Sequence, residues 1–115
     1  MAEDRYPPAM ADTSVTVTHA ADHARYEIYV DGELAGFAQY RRADGRFVFV
    51  HTEIDDAFEG RGLGSQLARG ALDDVRAQGE LVVPLCPFIH AWIDKHVEYA
   101  DLVDRPLLDR LSATG

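Results

Sequence analysis

The sequence has a single cysteine, Cys86, so it cannot form an internal disulfide. A disulfide-stabilised secreted scaffold is therefore excluded, and we expect a protein of the reducing cytoplasm. No apolar run approaches the ~20 residues that cross a bilayer. The longest, residues 81–89, is interrupted by Pro84 and Pro87. Because the first residues also lack the apolar stretch of a signal peptide, we predict neither export nor a membrane partner.

Positive charge is scarce: 11 Lys and Arg stand against 20 Asp and Glu, a formal net charge of −9. Such a surface repels phosphate backbones and disfavours nucleic acid as a partner, while it mildly favours cationic partners such as amines.

The chain has 115 residues, of which 47% are hydrophobic. That is enough to fold as one domain without a metal or disulfide. We assign a flexible tail to residues 1–13 and the domain to residues 14–111.

The first half of the domain shows the alternation of antiparallel strands. Asp31-Gly32 separates two alternating runs, which is the pattern of a two-residue hairpin turn. A second turn is predicted at Ala43-Asp44-Gly45. The predicted strands of this four-stranded meander are residues 15–18, 25–30, 33–42 and 46–54.

The second half changes to the helical period. From Leu63 to Val75 the apolar residues fall on one helix face, and Gly79 is placed to end that helix. Residues 81–85 read as a buried strand, Pro87 suits the first turn of a second helix, and residues 106–111 suit a short helix or turn. The fold class is therefore mixed α/β: an antiparallel meander followed by a right-handed β-α-β crossover.

A glycine-rich segment, Glu-Gly-Arg-Gly-Leu-Gly-Ser at residues 59–65, joins the last meander strand to the first helix. Its glycines allow close backbone approach, and its amides with the free N–H groups of the helix start form a concavity suited to phosphate. Arg61 adds a cation. No Gly-Lys-Ser/Thr follows, which excludes a P-loop, and Ser65 occupies the third glycine position of the dinucleotide fingerprint. The alternative is a turn that only connects strand to helix.

Four segments together resemble the GNAT N-acetyltransferase superfamily, and within it the small single-domain YjdJ-type subgroup. The segments are His51–Ile54, Glu59–Ser65, Val83–Ile89 and Trp92–Tyr99. The resemblance implies a GNAT-like mixed sheet that lacks the usual early helices. It also implies that the protein binds acetyl-coenzyme A (acetyl-CoA) as co-substrate and transfers the acetyl group to an amine.

The resemblance further implies that amides of residues 59–64 hold the pyrophosphate and that pantetheine lies along the strand ending near Ile54. The family loop usually opens with Gln or Arg, whereas this one opens with Glu59. The missing early helical segment normally shapes the acceptor pocket, so we expect an open site. The predicted coenzyme-binding residues are Ile54, Glu59, Gly60, Arg61, Gly62, Leu63, Gly64 and Ser65.

Cys86 ends the buried strand just before Pro87 and a helix N-terminus, a position that favours the reactive thiolate. The resemblance implies that this cysteine lies close to the coenzyme thiol, as a nucleophile or acetyl carrier. The alternative is an inert core cysteine.

His51 and Glu53 are two residues apart, so an unbroken strand presents both on one face, together with Phe47 and Phe49. Either could take the proton of an attacking ammonium, so we list both as catalytic candidates with Cys86. The alternative is a structural histidine beside a solvated carboxylate. Thr52 would face the other way.

Other residues carry weaker signals. His90 and His96 are about 240° apart on a helix, so we predict no metal site. Trp92, Phe88 and Ile89 are interpreted as core, and the alternative is an aromatic stack against a cofactor. The prediction is an acetyl-CoA-dependent N-acetyltransferase acting on a primary amine of a small molecule or protein, as a monomer or weak homodimer. The alternatives are a CoA or acyl-CoA-binding protein with little turnover and, more weakly, an interaction domain.

Overall fold

The computed structural model describes residues 14–114, and the predicted tail, residues 1–13, lies outside the described residues. Five strands and three α-helices follow one another along this part of the chain. They are β1 (Val15–Ala20), β2 (Arg25–Val30), β3 (Glu33–Ala43), β4 (Arg46–Ile54), α1 (Leu63–Ala77), β5 (Leu81–Pro84), α2 (Pro87–Lys95) and α3 (Arg105–Thr114).

The strands form one mixed sheet in the order β1-β2-β3-β4-β5. The first three pairs are antiparallel, and β4 pairs in parallel with β5 through the α1 crossover, which confirms the predicted meander and β-α-β unit. Asp31 and Gly32 both have positive φ, as the predicted hairpin requires. Between β1 and β2 the structure has only the short 3-10 helix Ala21–His23, in agreement with the predicted lack of early helices.

The core lies mainly on one face of the sheet, under α1 and α2. Leu67 and Leu72 of α1 and Ile89 of α2 are fully buried against Phe47 and Phe49 of β4. On the opposite face, α3 covers a smaller apolar cluster in which Leu108 packs with Val48 and Val83. The two faces of the sheet therefore carry separate apolar clusters, and β4 and β5 contribute side chains to both.

The alternation of β4 is interrupted at Val50. Phe49 pairs with Tyr40 and His51 pairs with Gln39, so Val50 is an extra residue without a partner on β3. This β-bulge reverses the face that later side chains occupy. His51 and Glu53 consequently lie on the face of α3, opposite Phe47 and Phe49. The predicted shared face was wrong, because the prediction assumed an unbroken strand.

Asp104 fastens α3 to the sheet. One of its carboxylate oxygens accepts the Leu107 N–H at 3.0 Å, and the other accepts the Arg46 Nε–H at 2.6 Å. The Arg46 guanidinium and, secondly, the Leu107 N–H hold the pKa of Asp104 below its ordinary value. The side chain is only 10% exposed. An ionised Asp104 thus helps to hold α3 against the sheet.

We expect the free energy of unfolding to fall as the pH drops below about 4, the ordinary range of an aspartate. A lowered folded-state pKa gives stability that is present above the unfolded-state pKa and lost as pH falls through the folded-state pKa. Chemical denaturation of wild type and Asp104→Asn between pH 7 and pH 3 checks this, with Asp94→Asn as an exposed control. A variant whose stability falls as steeply as that of wild type would contradict it.

Candidate functional site

The loop between β4 and α1 has a defined local structure. Asp55 accepts the Ala57 N–H at 2.9 Å and so begins the 3-10 helix Asp56–Phe58. Gly60 and Gly62 follow with φ of 83° and 73°. A Cβ added at either would meet nothing within 4 Å. These two glycines are therefore required by backbone conformation, and the space beside them is open.

The N-terminus of α1 faces that open space, and no side chain caps its free N–H groups. Gly62 is the N-cap residue, supplies no side-chain hydrogen bond, and is followed by no acidic residue in the first turn. The first helical hydrogen bond runs from the Gln66 N–H to the Gly62 carbonyl at 3.2 Å. The N–H groups of residues 63–65 therefore precede the helical ladder, and a 15-residue helix directs its positive end at the loop.

A cleft of about 480 Å³ opens at this helix end. Its walls come from the end of β4, the loop, the first turn of α1 and the outer side of α2. The lining residues are Ile54, Phe58, Glu59, Gly60, Gly62, Leu63, Gly64, Ser65, Phe88 and Trp92. The structure thus brings the predicted coenzyme-binding residues together, apart from Arg61. The Arg61 guanidinium lies over the Phe58 ring, 5.4 Å from its centroid.

The α2 wall of this cleft combines a buried and an exposed aromatic ring. Trp92 is 5% exposed and donates its indole N–H to Ser65 Oγ at 2.8 Å. Phe88 is 42% exposed, so its predicted place in the core was wrong. A Cβ on Gly64 would lie 2.9 Å from Phe88 Cζ. Gly64 therefore leaves room for the Phe88 ring, whereas Gly60 and Gly62 are needed for their backbone conformation. Phe88 and Trp92 are four residues apart, and this helical spacing was the sequence signal that could have placed both rings on one wall of the cleft.

Cys86 stands where β4 and β5 part. It is the N-cap residue of α2, and its N–H donates to the Phe49 carbonyl at 2.8 Å, after which β4 continues to Ile54. The side chain is 3% exposed. Its Sγ lies 3.3 Å from Thr52 Oγ1. Thr52 therefore faces the core side and contacts the thiol, a contact that the predicted orientation of Thr52 missed because of the bulge.

The other two predicted catalytic residues lie apart from this pair. His51 Nε2 is 3.1 Å from Glu53 Oε1, and the two side chains are 56% and 62% exposed. They line the α3 face of the sheet, next to Phe37, whose ring centroid is 6.1 Å from that of His51. The structure brings His51 and Glu53 together, but on the face opposite Thr52.

The mixed sheet, with an α1 N-terminus that has no side-chain cap and opens on a cleft, defines a protein of the mixed α/β class. Residues 25–102 match the model of a family described as GCN5-related N-acetyl-transferase. The match spans more than half of the chain, and the protein belongs to this family of acetyltransferases. The comparison with curated proteins finds no similar sequence. The narrower YjdJ-type subgroup stays a prediction.

A solved structure has the same fold. It is the solution structure of a GCN5-like protein from Staphylococcus aureus, with a TM-score of 0.59 and 19% sequence identity. The alignment covers 76% of this chain and 86% of that one. At this identity the likeness concerns the fold alone, and it confirms the predicted GNAT-like architecture.

Two further properties concern residues 14–114 only. No group of three or more His, Cys, Asp or Glu side chains there is placed to hold a metal ion. None of the helices in that range combines the length and the apolar character of a membrane span.

Proposed function

We propose that this protein transfers the acetyl group of acetyl-CoA to a primary amine. The observation that carries the proposal is the uncapped N-terminus of α1, which opens with two positive-φ glycines on a cleft of about 480 Å³. The residues present fit a diphosphate, because free N–H groups of residues 63–65 and a helix dipole together favour an anion. Family membership supports acetyl transfer as the reaction.

Different residues of the cleft would contact different parts of the coenzyme. The loop and first turn of α1 would hold the pyrophosphate, and Ile54 would contact the pantetheine. Phe88 and Trp92 supply an apolar wall opposite the loop. Arg61, exposed beside Phe58, adds positive charge outside the cleft. Glu59 adds a negative charge within it.

We favour direct transfer over an acetylated enzyme. The amine nitrogen forms a bond to the acetyl carbon, the carbon–sulfur bond breaks, and the coenzyme leaves as a thiolate that takes a proton. Cys86 is proposed to supply that proton from its thiol, held by Thr52, and to recover it from solvent. An acetyl group on the Cys86 sulfur would need room beside a side chain that is only 3% exposed, which favours this role over that of a nucleophile.

The acceptor enters as an ammonium ion and must lose a proton before it attacks. His51 and Glu53 are our proposal for this step, through water, because their hydrogen-bonded pair lies exposed on the α3 face.

A titration followed by an assay tests the proposal. Trp92 is the single tryptophan of the chain and lines the cleft, so its fluorescence should change on addition of coenzyme A. Acetyl-CoA mixed with a panel of amines should then release free thiol. Saturable binding without thiol release would favour the coenzyme-binding protein over the enzyme. Absence of binding at millimolar coenzyme A would overturn both.

Glu59→Gln should tighten coenzyme A binding by about two- to fivefold. An exposed carboxylate near a diphosphate repels it, and exposed charge interactions are worth roughly 1 kcal/mol or less. The gain should shrink in 0.5 M salt, since screening weakens such repulsion. The Trp92 titration measures it, with Asp22→Asn, an exposed position in the turn after β1, as control. Weaker binding by Glu59→Gln would show that Glu59 assists the ligand.

A further inference from the structure

A second cleft, of about 420 Å³, lies between the start of α2 and the outer side of α3. Its apolar floor includes Leu85 and Leu108, which belong to the cluster on the α3 face of the sheet. Its charged and polar lining includes His90 of α2 with Arg105 and Asp109 of α3. None of these three side chains takes part in the site described above.

The two clefts flank the first turns of the same helix. At about 100° per residue, Phe88 and Trp92 point to one side of α2, and Pro87 and His90 point about 150° away from them. The first pair lines the α1 cleft and the second pair lines the α3 cleft. Cys86, the N-cap of α2, directly precedes the turn of helix that both clefts flank. Both clefts border the first turn of α2, which begins where β4 and β5 part.

Arg105 and Asp109 carry the opposite charges of the second cleft, and both side chains are exposed. Among residues 14–114, neither Arg105 nor Asp109 has an ion-pair or hydrogen-bond partner for its side chain. They are four residues apart on α3 with the cation first, which is the less favourable order for a pair on a helix. A guanidinium and a carboxylate that share a cleft without pairing to each other can bind opposite charges of one ligand.

We propose that this second cleft binds the acceptor and that the acceptor is an amine that also carries a carboxylate. This inference rests on the proposed function. Arg105 binds the carboxylate, for which its planar fork of donors is matched, and Asp109 binds the ammonium. The class is that of free amino acids and related small zwitterions, as opposed to the side-chain amines of proteins.

The balance of the reaction is unchanged by this assignment. The ammonium gives one proton to water or to the His51–Glu53 pair, which lies on the same face of the sheet as the cleft. The nitrogen then bonds to the acetyl carbon as the carbon–sulfur bond breaks. The second proton released from nitrogen matches the one that the coenzyme sulfur takes up.

A matched set of acceptors tests the inference. The wild-type protein is assayed with acetyl-CoA and free amino acids, and in parallel with the corresponding carboxamides, which keep the ammonium and lose the carboxylate. We expect kcat/KM to be at least tenfold higher for the acids, as a charge-assisted pair provides. Arg105→Gln should raise KM about tenfold for the acids and leave KM for the amides unchanged. Asp109→Asn should raise KM for both.

Arg110→Gln, on the same helix and outside the cleft lining, is the matched control and should change neither KM. Coenzyme binding, followed by Trp92 fluorescence, should be equal in all variants. Equal kcat/KM for acids and amides, or a general loss in Arg105→Gln, would overturn the inference and leave the proposed function standing. If no acceptor turns over, amide NMR shifts of residues 105–112 on addition of free amino acids decide, and unchanged shifts would overturn it. Failure to bind coenzyme A would instead overturn the proposed function.

Discussion

Gly62→Val is expected to weaken coenzyme A binding at least tenfold in a protein that still folds. Gly62 has φ of 73° and is the N-cap of α1, so its backbone sets the direction of the free N–H groups. A β-branched residue resists this conformation at a cost of about 1–3 kcal/mol, and it also adds bulk at the mouth of the cleft. A stable domain tolerates that strain. The Trp92 fluorescence titration measures the affinity, and thermal unfolding measures the fold.

Gly79→Val is the control matched to this variant. Gly79 lies just after the other end of α1 with φ of 71°, and a Cβ there also meets nothing within 4 Å. Both variants should lose similar stability, because the strain is alike, and only Gly62→Val should lose coenzyme affinity. Equal affinities in the two folded variants would remove the anion site at the α1 N-terminus from the proposal.

Cys86→Ala is expected to lower kcat by about a hundredfold while coenzyme A binds as in wild type. The thiol is the proposed proton donor to the leaving sulfur, and loss of a positioned acid typically costs 10²–10⁴ in rate. Thr52→Val should give a smaller loss, because the thiol stays but loses the partner 3.3 Å from its sulfur. Steady-state kinetics with the best amine of the panel gives kcat, and the Trp92 titration gives the coenzyme Kd.

Mass spectrometry separates this role from that of an acetyl carrier. Wild-type protein incubated with acetyl-CoA alone should keep its mass, and initial rates should follow a sequential pattern. An added acetyl group on Cys86, with ping-pong kinetics, would establish the carrier. Full activity in Cys86→Ala would assign the cysteine to the core.

The sequence was sufficient to predict the order of elements because each boundary has a local physical cause. Asp31-Gly32 supplies the positive φ values that a tight hairpin needs. The six apolar residues of α1 that the helical period selected are the six that are buried in the structure. The glycine loop was located in the same way, since its conformation is a property of a few neighbouring residues.

The parts that escaped prediction depend on pairing across the sheet and on contacts between elements. The bulge at Val50 arises from the register between β3 and β4, and the sequence of β4 alone contains no signal that predicts it. It placed His51 on the other face and turned Thr52 toward Cys86. The close approach of the Phe88 ring to α1 depends on the missing side chain of Gly64 on that other helix. The second cleft depends on where α3 docks, to which the Asp104–Arg46 pair and the packing of Leu108 both contribute.

The bulge at Val50 divides β4 into two segments under different constraints. Phe47 and Phe49, before it, are fully buried and fill the core, so their volume is fixed by packing. His51 and Glu53, after it, are exposed, and the interruption of the ladder lets them change without shifting the aromatic layer. One strand can thus keep its buried half constant while the exposed residues of its second half change.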